Sequence, residues 1–269
     1  MKMVWISGIL LLVSLMSAAS SQQTAEEWFD EGLAFADLSN YTEAILCFDE
    51  ATRIELNYVD AWNDKGNAYA ELGNYTEAHR CYDEAIRIKP DFAMAWYNKG
   101  VAYGELGNYT EAFKYYDEAT RIDPDYADAW INKGVAYRVQ GYNAEAIRCY
   151  DEAIRINPDE ADAWYNKGNA YSDMGNLTEA IRCYNEAIRI NPDYADAWNN
   201  KGLDHSDMDN YTEALRCYNE AIRINPDYAV AWYTKGEVLR AIGQDAEADA
   251  ANARARELGM GAPGAGPQL

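Results

Sequence analysis

The chain has 269 residues, of which 45 are Asp or Glu and 23 are Lys or Arg, so its formal net charge is −22. This balance excludes recognition of DNA or RNA through phosphates and direct binding to an anionic membrane surface, because both need clustered basic residues. It favours a neutral or basic partner, although acidity also serves simply to keep a protein soluble.

Residues 1–19 are predicted to be a secretory signal peptide. Lys2 provides a positive start, residues 4–15 form an apolar run, and the segment ends in the small residues Ser17, Ala18 and Ala19. The run is shorter than the roughly 20 residues of a membrane-spanning helix, and the alternative is an uncleaved N-terminal anchor. The expected location is therefore secreted or extracytoplasmic, with or without that anchor.

Seven tryptophans then recur at one fixed spacing. They lie 34 residues apart, and a glycine follows each of them by four residues. The tryptophans are Trp28, Trp62, Trp96, Trp130, Trp164, Trp198 and Trp232. A unit this short cannot bury its own apolar face, so strict copying predicts a row of stacked units whose function lies along a surface.

Each copy is predicted to hold two helices. In the fourth copy the apolar spacing indicates helices over about residues 126–139 and 144–156, separated by Gly141. Pro158 ends the second helix because it has no amide proton to donate. On the exposed faces, Arg148 with Glu152 and Asp151 with Arg155 are spaced to form ion pairs four residues apart.

Capping residues are expected at the helix starts. Thr24 and Glu27 form a capping box ahead of the first copy. Asp159 is predicted to cap the helix that follows Pro158, with Asp162 three residues on in a position like that of a capping box.

The repeating residues resemble the tetratricopeptide repeat family. One full instance is Trp62, Gly66, Tyr69, Ala78, Tyr82, Ala85 and Pro90. The resemblance implies an all-α, right-handed superhelical solenoid of seven helix-turn-helix repeats over residues 25–262, and residues 263–269 are predicted to be a disordered tail. The repeat boundaries are 25–58, 59–92, 93–126, 127–160, 161–194, 195–228 and 229–262.

The chain departs from the family pattern just before the glycine. The family favours Leu there, whereas six copies have Lys65, Lys99, Lys133, Lys167, Lys201 and Lys235. A lysine can lay its stem on apolar surface and keep its charge in water, so the packing is expected to be adapted rather than broken.

The five cysteines occupy one repeat position and are predicted to stay unpaired. They are Cys47, Cys81, Cys149, Cys183 and Cys217, spaced by 34 or 68 residues. Equivalent positions on stacked helices should be no closer than the roughly 8–10 Å between packed helices, whereas a disulfide needs α-carbons within about 7 Å. They are interpreted as small apolar fillers, and no metal or other cofactor is expected.

The resemblance places a peptide-binding groove on the first helix of each repeat, one, two and five residues after the tryptophan. The candidate residues are Asn63, Tyr97, Tyr165, Tyr233, Asn98, Asn132, Asn166, Asn200 and Asn169. Asparagine amides both donate and accept, so a ladder of them could pair with the backbone of an extended peptide. The alternative is that asparagine at these positions is only a soluble surface residue.

The sixth copy is irregular. Asp204, His205 and Asp209 replace the usual Ala, Tyr and Gly, and the segment 204–209 lacks the glycine and the closing glutamate of an EF-hand loop. A weakly packed repeat is favoured over a metal site.

These observations predict a non-enzymatic scaffold that binds an extended, neutral-to-basic peptide in its concave groove. No arrangement of a nucleophile with a base is recognisable in the sequence. The alternative is an exported structural or cell-envelope spacer that carries glycans. Five asparagines fit the acceptor pattern for N-glycosylation, namely Asn40, Asn74, Asn108, Asn176 and Asn210. The alternative is that asparagine is favoured at turns and helix starts, and that duplication of the repeat copied it.

The intact mass of the native protein distinguishes these two interpretations of the five asparagines. A glycosylated protein should be heavier than the mass calculated for the mature chain, because every occupied acceptor site adds a glycan. Equality of the two masses would eliminate the glycan.

Overall fold

The computed structural model describes residues 23–260, so the predicted signal peptide and the predicted tail (263–269) lie outside the described residues. Over that range the chain forms fourteen α-helices and no strand, which confirms the predicted all-α class. None of these helices is both long and apolar enough to cross a membrane.

The first of two compact units covers residues 23–123 and holds three helix pairs. Its helices are α1 (Ala25–Asp37), α2 (Tyr41–Ile54), α3 (Val59–Glu71), α4 (Tyr75–Ile88), α5 (Ala93–Glu105) and α6 (Tyr109–Ile122). Each helix packs against the next one along the chain, so that the pairs stack in sequence order.

The second unit covers residues 124–260 and holds four helix pairs with the same arrangement. Its helices are α7 (Ala127–Val139), α8 (Asn143–Ile156), α9 (Ala161–Asp173), α10 (Leu177–Ile190), α11 (Ala195–Asp207), α12 (Tyr211–Ile224), α13 (Ala229–Ala241) and α14 (Asp245–Glu257). Each predicted repeat therefore contains one helix pair, and the predicted helices of the fourth copy begin within one residue of the observed ones.

The two helices of a pair meet at the repeated glycine. A β-carbon placed on Gly66 would lie 2.5 Å from Cε1 of Tyr82, and one on Gly168 would lie 2.5 Å from Cε1 of Tyr184. Both rings are almost completely buried. Glycine is therefore required because the aromatic ring of the second helix rests directly on the backbone of the first.

The repeated tryptophan fixes the loop that enters each repeat. The Nε1 of Trp96 donates to the carbonyl of Pro90 at 3.0 Å, and the Nε1 of Trp164 donates to the carbonyl of Pro158 at 3.0 Å. Trp62 makes the same bond to Leu56, where the proline is absent. These tryptophans are half-buried, and the partner of each indole N–H lies at the end of the previous repeat.

The helix starts agree with the predictions in part. The capping box of Thr24 and Glu27 is confirmed, with the Thr24 amide donating to Glu27 Oε2 at 2.8 Å and the Glu27 amide donating to Thr24 Oγ1 at 3.1 Å. The predicted cap by Asp159 and Asp162 is wrong. Glu160 occupies the capping position without a side-chain bond, because the Asn157 side chain captures the Asp159 amide in a turn.

The predicted ion pairs of the fourth repeat are also wrong. Glu152 pairs with Arg155, one turn later, at 2.8 Å. Asp151 pairs instead with Lys167 of the next repeat at 2.6 Å. The carboxylate of Asp151 is therefore used between repeats rather than along its own helix.

The lysines before the glycines are more deeply placed than expected. Only 5% of Lys99 and 8% of Lys201 is exposed, so the prediction that their charges stay in water is wrong. The ammonium of Lys99 forms an ion pair with Asp83 of the preceding second helix and lies 4.6 Å from the Tyr115 ring centroid. A carboxylate and an aromatic face replace the lost water.

The cysteines behave as predicted. All five are unpaired and buried. Burial raises the pKa of Cys81 and of Cys183 to about 11, which keeps both thiols protonated and unreactive near neutral pH.

Asp204 of the sixth repeat is buried at a position that is alanine in the preceding repeats. It is 2% exposed, and Ser172 Oγ of the fifth repeat donates to its Oδ1 at 2.7 Å, whereas its Oδ2 has no partner. Burial raises the pKa of Asp204 to about 6. The carboxylate therefore disfavours folding above that pH.

The glycine packing can be tested with two substitutions on α5 that face the same ring. Gly100→Ala should lower the free energy of unfolding by about 1–3 kcal/mol, because its β-carbon would lie 2.7 Å from Cε1 of Tyr116. Gly104→Ala should raise it by up to about 1 kcal/mol, since its nearest neighbour, Tyr116 Oη, is 3.5 Å away. Urea unfolding of the two variants provides the comparison, and equal stabilities would contradict the packing argument.

Asp204→Asn should stabilise the protein in a pH-dependent manner. The folded pKa of about 6 lies above the ordinary value of 3.8. The free energy of unfolding of the wild-type protein therefore falls as the pH rises from about 4 through 6, because Asp204 becomes ionised in its buried position. The substitution should add about 1–3 kcal/mol at pH 7.5 and progressively less towards pH 4.

The control is Asp207→Asn, which removes the same charge from an exposed position on the same helix. Urea unfolding measured at several pH values should show the pH-dependent gain only for Asp204→Asn. A gain that does not change with pH would refute the buried-carboxylate explanation.

Candidate peptide-binding surface

A cavity opens between the second and third repeats in the first unit and is called cavity I. Its volume is about 520 Å³. It is lined by Asn67, Ala70, Glu71, Tyr75, Tyr82, Tyr97, Asn98, Val101, Ala102 and Glu105. Tyr82 lies at its base, where its hydroxyl donates to Asn67 Oδ1 at 2.9 Å.

An equivalent cavity of about 320 Å³ lies between the sixth and seventh repeats in the second unit and is called cavity II. Its lining residues are Leu203, Ser206, Tyr211, Tyr218, Tyr233, Thr234, Glu237, Val238 and Ala241. All nine occupy repeat positions that also line cavity I. Helical periodicity presents the positions one, two, five and nine after the tryptophan on one face.

The predicted groove residues are found in several environments. Tyr97 and Asn98 line cavity I, and Tyr233 lines cavity II. Asn63 is only 1% exposed. Its Nδ2 donates to Asp64 Oδ1 at 3.0 Å, and its Oδ1 accepts from Asn98 Nδ2 at 3.0 Å.

The other predicted residues lie on α7, α9 and α11. Asn200 Nδ2 donates to Tyr165 Oη at 3.1 Å and to Asn169 Oδ1 at 3.0 Å, so these three residues connect the fifth and sixth repeats. Asn132 and Asn166 are half-buried. Several of the amides that were expected to meet a peptide backbone therefore already bond one repeat to the next.

Sequence reasoning missed the carboxylates of the cavities. Glu71 and Glu105 both line cavity I, and Glu237 lines cavity II. For Glu71 and Glu105 the available signal was a recurring acidic residue nine positions after the tryptophan, which occurs in five of the seven repeats, whereas Glu237 lies five positions after Trp232 and had no such signal. Those residues are Asp37, Glu71, Glu105, Asp173 and Asp207.

Asp64 adds a further acidic group close to cavity I. It is held by amide donors from Asn63 and Asn67, each at 3.0 Å. Burial raises the pKa of Asp64, and the two amide bonds oppose that shift. The acidic side chains in and beside cavity I therefore favour a ligand that donates hydrogen bonds or carries positive charge.

The five candidate glycosylation sites lie at the turn between the two helices of a repeat. Four of their asparagines are exposed and accept a hydrogen bond from the glutamate amide three residues later: Asn74, Asn108, Asn176 and Asn210. Asn40 is half-buried and makes no such bond. The side-chain oxygen thus serves as a helix cap, and the amide nitrogen that a glycan would modify is not needed for it.

The irregular segment 204–209 contains no metal-binding cluster. Across residues 23–260, no group of three or more His, Cys, Asp or Glu side chains is arranged to hold a metal ion. Asp209 has a φ of 58°, because it occupies the turn position that glycine fills in most other repeats.

Sequence models of the tetratricopeptide repeat match most of the chain. The matched residues are 32–73, 63–127, 134–175, 161–194, 195–228 and 217–250. None of the curated protein sequences that were compared matches it.

Solved structures share the fold. MamA is 25% identical with a TM-score of 0.55, and the match covers 59% of this chain and 93% of MamA. YrrB, described as a TPR protein with an unusual peptide-binding site, is 23% identical with a TM-score of 0.57, covering 70% of this chain and 97% of YrrB.

A tetratricopeptide repeat protein from Parabacteroides merdae has lower identity but a longer match. It is 18% identical with a TM-score of 0.68, and the match covers 89% of this chain and 94% of that protein. The repeated packing of the helix pairs, the sequence matches and these shared folds agree, and the chain belongs to the tetratricopeptide repeat family.

Proposed function

We propose that this protein is a non-enzymatic interaction scaffold that binds an extended, neutral-to-basic peptide segment along its first helices. The single observation on which the proposal depends is the composition of cavity I. There Glu71 and Glu105 lie beside Tyr97 and Asn98, in a recess that Tyr75 and Tyr82 complete.

This combination suits a lysine or arginine side chain. A carboxylate pairs with the cationic head, and tyrosine faces cover the apolar stem and attract the charge. The Asn98 side-chain nitrogen donates one hydrogen bond to Asn63. The Asn98 side-chain oxygen remains available to accept from a backbone amide of the peptide. YrrB provides a precedent for peptide binding within this fold.

Two further observations support a basic partner. Cavity II also contains a carboxylate, Glu237, beside Tyr233 and Thr234. Its repeat position differs, because Glu237 corresponds to Val101 of cavity I and Ala241 stands in the place of Glu105. The whole chain has a net charge of −22, which attracts cationic ligands and repels acidic ones over longer distances.

The alternative proposal is an exported structural spacer that carries glycans. The observation that favours it is the exposure of Asn74, Asn108, Asn176 and Asn210 at helix turns. Higher-order assembly of the purified protein without any ligand would favour the spacer, whereas saturable peptide binding by a monodisperse protein would favour the scaffold.

A peptide array of extended segments that vary in net charge tests the leading proposal. Bound sequences should be enriched in Lys and Arg. The double substitution Glu71→Gln with Glu105→Gln should raise the Kd of a selected peptide by about 3- to 10-fold, as expected for the loss of two partly exposed charge pairs.

A matched control changes the net charge equally at a different place. Glu84→Gln with Glu118→Gln removes two carboxylates that pair with Arg87 and Arg121 on the second helices. This control should leave the Kd nearly unchanged. Equal weakening in both double variants, or equal binding of acidic and basic peptides, would reject cavity I as the binding site.

A further inference from the structure

The lysine before each repeated glycine usually has a carboxylate partner on the preceding second helix. Lys65 pairs with Asp49, Lys99 pairs with Asp83, and Lys167 pairs with Asp151. The partner residue lies 21 positions after the preceding tryptophan, and it changes to Asn185 and Asn219 towards the end of the chain. By repeat position, Lys201 and Lys235 therefore correspond to an asparagine where the earlier lysines have an aspartate partner.

Lys201 is the more deeply buried of these two lysines. It is 8% exposed, and it makes no ion pair or hydrogen bond with residues 23–260. Its ammonium lies 5.2 Å from the centroid of the Trp198 ring. Burial lowers the pKa of Lys201, whereas the bond to Asp151 helps to raise the pKa of Lys167. An ammonium that is partly removed from water without gaining an anion is costly, so this position favours an anion from solution.

Other donors lie around the same tryptophan. The Arg216 guanidinium lies 5.3 Å from the Trp198 centroid. His205 occupies the position of the usual tyrosine, and its Nδ1 is buried without a partner. The opposing carboxylate is Glu213, which accepts from Arg216 Nε at 2.8 Å and is 40% exposed. The local charge is thus more positive than at the matching place in the fifth repeat, where Asp151 neutralises Lys167.

We propose that the sixth repeat binds a small tetrahedral oxyanion, such as inorganic phosphate, between Lys201 and Asn185. The oxyanion takes the place of the aspartate carboxylate that serves the earlier lysines. The ammonium and the Asn185 amide donate to it, and Arg216 and His205 supply further donors on the tryptophan side.

The seventh repeat offers a poorer site of the same kind. Lys235 also has an asparagine, Asn219, at the repeat position of its partner, but Leu239 and Ala250 stand at the positions of His205 and Arg216. The ammonium of Lys235 is half-buried and has the Trp232 ring at 5.3 Å as its recorded contact. A single preferred oxyanion site in the sixth repeat follows from this difference.

The experiment measures thermal unfolding of the full chain in increasing inorganic phosphate, with sodium chloride added to hold the ionic strength constant. Wild-type Tm should rise with a saturating dependence on phosphate, because a ligand that binds the folded state stabilises it. Asn185→Asp should remove most of that rise, since it restores the internal partner of Lys201. Lys201→Met should remove it as well.

The fifth repeat provides a gain-of-function control. Asp151→Asn takes the carboxylate from Lys167 and leaves Arg182 at the position of Arg216, so this variant should respond to phosphate more strongly than the wild type. No response of wild-type Tm up to about 100 mM phosphate, or an unchanged response in Asn185→Asp, would overturn the proposal. A stronger response to phosphoserine than to inorganic phosphate would overturn the free-ion assignment.

Discussion

The structure depends on one close approach, the contact in the first six repeats between a glycine on the first helix and an aromatic ring on the second. In the seventh repeat Asn252 takes the place of the ring. No β-carbon fits at Gly66 or Gly134, because the rings of Tyr82 and Tyr150 occupy its place at 2.5 Å. This contact sets the separation of the helices within a pair. The small buried alanines around it then let the next pair pack against this one, so that a short unit with little apolar surface acquires a core from its neighbours.

Close stacking also buries polar groups, and many of these groups form hydrogen bonds or ion pairs with the neighbouring repeat. Lys99 gains Asp83, and Asn200 bonds to Asn169 and Tyr165 of the preceding repeat. Such bonds are needed because an unpartnered polar group between helices costs more than it would at a free surface. Where the compensation is incomplete, as at Lys201, the structure contains a group that a solute could satisfy.

The two surfaces considered for binding differ in charge and in origin. Cavity I arises from positions that lie between successive repeats, and its carboxylates Glu71 and Glu105 suit a cationic side chain. The proposed site at Lys201 arises where Asn185 replaces an aspartate and where His205 and Arg216 are both present, and it suits an anion. Both follow from the same helix-pair frame, since a solenoid keeps its backbone constant and varies the side chains at fixed positions.

The fold class, the helix pairs and the unpaired cysteines could be predicted from the sequence, because a strict period of 34 residues repeats the same local chemistry. The roles of individual polar residues could not. Asn63 was expected at the surface and is 1% exposed, and Asp151 was expected to bond along its own helix and instead bonds to Lys167. Those outcomes depend on which side chain of the neighbouring repeat lies opposite, and only the stacking of helix pairs in three dimensions decides that.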